Sequence, residues 1–222
     1  MKWLNKLERK YGRFGIPNLM QFIVLGNALV YLLINLDPSR QLIYTLGLHP
    51  VLVLRGQLWR LVTFIFIPPT LSILWVFFAL YFYYMVGTGL EQEWGKFKFN
   101  VYYLMGMLGT ILASFLTGSF ATGLYLNLSL FLAFAQIYPE FQIHLFMVIP
   151  VKVKYLAWLN WGIIAYTLLF GMMGTKVLAL VPVVNYLIFF GNDIIKDLNR
   201  RKQVQQNRKR FFSEVRKANQ NR

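Results

Sequence analysis

Six runs of apolar residues, each close to the length of a membrane-crossing helix, constrain this chain more than any other feature. A bilayer core takes about 20 apolar residues in helical form, within a tolerance of roughly 17–25. Residues 19–36, 70–90, 99–117, 120–138, 155–171 and 177–195 meet that requirement. A backbone inside lipid must satisfy its own polar groups, and at these lengths only helices do so. Apolar residues make up 57% of the chain and charged residues 14%, against roughly 45–50% and 25% in soluble domains. So few charges could not cover a water-soluble surface. The expected fold is all-α: a six-transmembrane-helix bundle with a long embedded first loop.

That loop, residues 37–69, is rich in Leu and Val but broken by Asp37, Pro38, Arg40, His49, Pro50, Arg55 and Arg60. The pattern predicts an interfacial or partly embedded segment, because a helix around 42–54 would be too short to span and would contain Pro50. The chain then divides into a basic amphipathic helix over 1–18, a membrane domain over 19–195 and a basic tail over 196–222. In the head, Trp3, Leu4, Leu7, Tyr11 and Phe14 recur at helical spacing opposite a basic face, as in a helix lying on a leaflet. The head has no uninterrupted apolar core, so a cleaved signal is not expected.

Charge sets the orientation. With six spans and both termini cytoplasmic, the 23 Lys and Arg divide 19 inside to 4 outside, the four being Arg40, Arg55, Arg60 and Lys176. The positive-inside rule therefore predicts cytoplasmic termini. The expected location is the plasma membrane of a prokaryote, or the endoplasmic reticulum if the source is eukaryotic.

Several kinds of chemistry drop out. There is no cysteine, which removes thiol nucleophiles, disulfides and cysteine-ligated metals. His49 and His144 are too far apart in sequence to indicate a metal site, and no cofactor is expected. No ionisable residue falls near the middle of a span, as coupled transport would require. Glu91, Glu93 and Asp193 lie at cytoplasmic span ends, and Pro182 alone does not make a pair of broken helices. Asn27, Asn127, Asn160 and Asn185 read as interhelical hydrogen-bonding groups.

Two motifs remain. The first loop carries Gly56-Gln57-Leu58-Trp59-Arg60-Leu61-Val62-Thr63-Phe64, in which Trp59 suits the membrane interface and Arg60 can hold phosphates or backbone carbonyls. About thirty residues later, the second span closes in Gly87-Thr88-Gly89-Leu90-Glu91-Gln92-Glu93-Trp94-Gly95. With six spans, the embedded loop, the Ile137-Tyr138-Pro139 exit and the 143–150 approach to the fifth span, these motifs resemble the rhomboid superfamily. That superfamily includes intramembrane serine proteases and inactive, Derlin-like relatives. The resemblance covers roughly residues 19–195 and implies a lateral opening near the second and fifth spans.

It also implies a serine–histidine dyad, and here the sequence departs. Counting back from Tyr138-Pro139, the Gly-x-Ser-Gly slot falls on Thr122-Gly123-Leu124-Tyr125, with Leu124 in the nucleophile position. The histidine slot of the sixth span falls on Val184 or Asn185. The oxyanion-binding slots of the second span fall on Trp75 and Ala79. Neither span contains any His, so no small shift of register restores a base. A displaced dyad would have to draw on Ser129 with His144, or on Ser114 or Ser119 with His49; Ser114 and Ser129 read as packing hydroxyls and the two histidines as interfacial side chains. The expectation is a pseudoprotease that binds or shields transmembrane helices of client proteins. The alternatives are a protease with displaced catalytic residues and a structural or lipid-perturbing membrane protein.

Gly106, Gly109 and Ala113 place small residues on one face of the third span, which allows close helix approach. Glu91 is expected to anchor a turn by accepting backbone N–H groups of the first loop. Arg200, Arg201, Lys202, Arg208, Lys209 and Arg210 make the tail a surface for anionic lipid headgroups, as does the basic head. Nucleic acid needs the same charge, but no aromatic-rich binding fold accompanies it, so lipid is the favoured partner.

Overall fold

A computed structural model describes residues 2–36, 41–145 and 149–220. Asp37, Pro38, Arg40 and Arg222 lie outside these, as do the side chains of Trp3, His144, Arg201, Lys209 and Arg210. The chain runs through α1 (Lys2–Tyr11), α2 (Leu19–Leu36), α3 (Gln41–Leu46), α4 (Pro50–Leu54), α5 (Arg60–Thr63), α6 (Ile73–Trp94) and α7 (Lys96–Thr117). It continues through α8 (Leu124–Ile137), β1 (Gln142–Leu145), β2 (Ile149–Lys152), α9 (Val153–Phe170) and α10 (Met173–Gln220). Lys2–Tyr186 forms one compact unit, and the second begins at Leu187.

Among the described residues, five helices are long and apolar enough to cross a membrane: α2, α6, α7, α9 and the Met173–Lys196 part of α10. The remaining predicted span, 120–138, becomes the 14-residue α8. At about 1.5 Å per residue such a helix is shorter than a hydrocarbon core of about 30 Å. The residues ahead of it are diverted into backbone pairing with the first loop. Leu48 and Ala121 exchange two hydrogen bonds of 3.0 Å, and the Gly123 N–H donates to the Phe64 carbonyl at 3.1 Å. A helix that is apolar all round belongs in an interior. Accordingly, Leu126, Asn127 and every residue from 129 to 135 are buried, with α6, α7 and α9 packed on α8.

The segment expected as a long loop contains three short helices and a 3-10 turn, none of spanning length. The all-α expectation needs one correction: β1 and β2 pair antiparallel, with Ile143 opposite Val151. Alternating β-branched residues and the Pro at position 150 favour extended backbone there, and α9 begins only at Val153. The head forms α1, but its apolar side is not wholly on the surface. Leu4 is buried and Glu8 pairs with Lys98 at 3.2 Å, which ties α1 to the start of α7. The tail expected over 196–222 continues α10 as helix to Gln220, with Pro182 inside it.

Candidate functional site

In the first loop, α3 ends with carbonyls that have no partner within the helix. The strand of sequence carrying the Trp-Arg motif supplies them. The Arg60 guanidinium donates to the carbonyls of Tyr44 and Gly47 (2.7 Å for the latter) and to Gln57 Oε1 at 2.7 Å. Thr63 Oγ1 donates to the Leu46 carbonyl at 2.7 Å and Trp59 Nε1 to that of Thr45 at 3.3 Å. Four consecutive carbonyls are thus capped, and a cation sits at the negative end of the helix. Arg60 is only 4% exposed. Of the two ligands the sequence left open for it, the structure gives it backbone carbonyls. Below this loop, Asn27 of α2 donates to the Ile65 carbonyl at 3.1 Å, so the first span holds the loop from beneath.

At the other end of α6, Gly87 lies against Met20 of α2 and Gly89 against Phe134 of α8, each where an added Cβ would collide. Leu90 is fully buried. Gly95 has φ +80°, a left-handed conformation that L side chains rarely adopt, and it joins α6 to α7. The Trp94 ring meets that of Tyr102 at a tilt of 53°, with centroids 5.2 Å apart. Glu91 does accept a backbone N–H, but not from the first loop. Its Oε1 takes the N–H of Asn18 at 2.8 Å, just before α2. The reason is topological: Glu91 is one α6 length away from the first loop and level with the entry to the first span. Beside it, Asn100 grips Ile16 through both backbone groups, at 2.9 and 3.0 Å. Sequence reasoning missed this clamp, whose only signal was a polar residue in the first turns of α7.

The degenerate catalytic slots do not converge. Leu124, at the first turn of α8, is 46% exposed, and Trp75 and Val184 are also exposed; Ala79 is half-buried. Of the two residues expected at the sixth-span slot, Val184 turns outward and Asn185 inward. Its amide donates to Ser129 Oγ at 3.0 Å and to the Tyr102 carbonyl at 3.3 Å. Tyr102 and Ser129 join hydroxyls at 2.7 Å, and the tyrosine also reaches the Ser129 carbonyl at 2.8 Å. Gly106 opens the room for this centre, because it lies against Leu126 and Asn185. Gly109 lies against Val181, and Ala113 is buried one turn further on.

Ser129 is therefore held by a phenol and an amide. A serine nucleophile needs a base able to take its proton near neutral pH, and neither of these groups can. Ser114 Oγ donates to the Ser119 carbonyl. His49 Nδ1 has no hydrogen-bond partner, so no serine is joined to it through that atom. Among the described residues, no group of three His, Cys, Asp or Glu stands together to hold a metal.

A cleft of about 370 Å³ opens between α6 and α8. Tyr81, Tyr84, Met85 and Thr88 line it from α6, and Phe134 and Phe141 from across. Gly89 shapes its floor by letting Phe134 approach. None of the five degenerate slots lines it.

Residues 21–191 match the model of one protein family. The chain belongs to the eukaryotic integral membrane protein family DUF1751. The match takes in the capped first loop, the Gly-Leu-Glu turn, the Tyr102–Ser129–Asn185 centre and the α6 cleft. It leaves out the basic head and the whole of the basic tail. No curated protein matches the chain.

Proposed function

We propose that this chain is a rhomboid-like pseudoprotease, Derlin-like in character, which binds or shields transmembrane helices of client proteins without cutting them. The single observation that carries the reading is the environment of Ser129. A scaffold with the motifs of a protease superfamily places, at its buried polar centre, a serine bonded to Tyr102 and Asn185 instead of a base. Leu124, in the nucleophile slot, has no atom that could attack. The α6 cleft is where a client would dock. In lipid, helices associate through close packing and hydrogen bonds, and the cleft offers tyrosines, Thr88 and the small Gly89 beside the exposed apolar face of α6. In this reading α8 counts as the fourth of six spans, the first loop is embedded in the outer leaflet and both termini are cytoplasmic. The family's eukaryotic description favours the endoplasmic reticulum among the expected locations.

A photoreactive amino acid at Met85 should give discrete protein adducts in native membranes, and a fluorophosphonate probe should leave the chain unlabelled. Adducts with lipid alone would favour the structural or lipid-perturbing reading. Labelling that disappears on Ser114→Ala, Ser119→Ala or Ser129→Ala would overturn the pseudoprotease reading.

A further inference from the structure

On the opposite side of α8 from the α6 cleft's helix lies a second cleft of about 370 Å³, within the roughly 300–1,000 Å³ of small-molecule sites. Lys154, Ala157, Trp158 and Trp161 project into it from α9 at the i, i+3, i+4, i+7 spacing of one helix face. Leu132, Ala135 and Gln136 of α8 face them. The groove exists because the two opposed floor positions, Ala135 and Ala157, are both small. Its back is closed by Tyr186, whose hydroxyl donates to Gln136 Oε1 at 2.7 Å and whose ring meets Trp161 edge-on at 5.9 Å.

Two properties identify an occupant. The groove opens on an apolar helix face: Trp158 is 76% exposed, and Ile163 and Tyr166 further along are exposed too. On a membrane-spanning helix that face meets acyl chains, so the floor suits a chain running parallel to α9. At the end where α9 begins, the chemistry changes abruptly to charge. Lys154 Nζ lies 2.6 Å from Glu140 Oε1 and Lys152 Nζ 2.8 Å from Glu140 Oε2. Two ammonium groups share one carboxylate, which leaves one net positive charge and further N–H donors on each lysine. Tryptophans near such a rim occupy their usual depth at the headgroup level.

We infer that the α8–α9 groove is a binding site for one anionic glycerophospholipid. Its phosphate is held by Lys154 with Lys152, and an acyl chain lies over Ala135 and Ala157 against Leu132. A net −1 headgroup neutralises the rim, whereas a zwitterionic one would bring a third cationic group up to the two lysines. The site is separate from the client cleft and does not depend on the pseudoprotease reading.

The test is native mass spectrometry of the full-length protein in mild detergent, with equal phosphatidylglycerol and phosphatidylcholine. One phosphatidylglycerol should be retained preferentially. Lys154→Gln should lower its retention about five-fold, the scale of one basic residue at an anionic surface. Ala157→Leu, which fills the floor, should lower it as well. A full-length variant with Arg200, Lys202 and Arg208 changed to Gln should retain it as the wild type does. Equal retention of the two lipids would overturn the site, as would unchanged retention in Lys154→Gln or loss in the tail variant. Should Ala157→Leu fail to fold, Ala135→Leu tests the floor and Lys154→Gln, at a partly exposed position, still decides.

Discussion

The amide of Asn185 donates a 3.0 Å hydrogen bond to the hydroxyl of Ser129, 56 residues away in sequence. This bond, with Tyr102 as third member, joins α7, α8 and α10 through buried side chains. Hydrogen bonds between membrane helices average about 0.6 kcal/mol and reach about 1.7. Ser129→Ala and Asn185→Leu should each lower thermal stability in detergent by about 1 kcal/mol. Because they share one bond, the double variant should lose less than the sum. Strict additivity would mean that the two side chains do not act together.

Arg60 caps the end of α3, so its loss is not a surface event. Arg60→Ala leaves the carbonyls of Tyr44 and Gly47 without donors, at a cost of roughly 1–3 kcal/mol for each buried group left unpaired. Arg60→Lys keeps the charge but loses the planar fork, and should recover only part of the stability. A melting temperature unchanged in Arg60→Ala, combined with loss of client adducts, would instead make the residue a recognition element.

Glu91 and Arg60 hold different segments and share no partner. Glu91→Ala removes the acceptor of the Asn18 N–H and should cost about 1 kcal/mol, while Glu91→Gln keeps an oxygen in place and should cost less. In the Arg60→Ala, Glu91→Ala double variant the losses should add within about 0.5 kcal/mol. Marked coupling in the cycle would reveal a contact that the geometry does not contain.

Glu140 supplies an acid-range signal. Hydrogen bonds from Lys152 and then Lys154 hold its pKa at about 2, below the ordinary 4.5. A carboxylate depressed in the folded state adds stability above its unfolded pKa and loses it as pH falls through the folded one. Lys152 is raised by the same carboxylate, so its share persists below its ordinary 10.5 and fades above it. Thermal scans of wild type and Glu140→Gln should therefore differ between these limits and converge as pH drops from 4.5 towards 2. A constant gap across that range would remove the triad as its cause.

The charge distribution gives a topology test. Reporter tags at both termini should lie on the cytoplasmic side, and an acceptor site near Pro50 on the other. Termini reporting opposite sides would show that α8 does not count as a crossing.

Run length and charge were enough to establish a membrane protein of several helices, because lipid leaves a backbone few alternatives and apolar length is written directly in the sequence. The small residues Gly106, Gly109 and Ala113 could likewise be picked out, since close helix approach leaves a compositional mark. Partners could not. That Glu91 answers Asn18, that Arg60 answers the end of α3 and that Asn185 rather than Val184 turns inward all depend on helix rotation and depth. A shift of one residue turns a helix by about 100°, so soft span boundaries leave these facings undetermined. Only the tertiary structure decided that α8 begins at Leu124. The pairing of Leu48 with Ala121, and of Gly123 with Phe64, draws that stretch out of the helix, and no local pattern records a contact made between segments more than fifty residues apart.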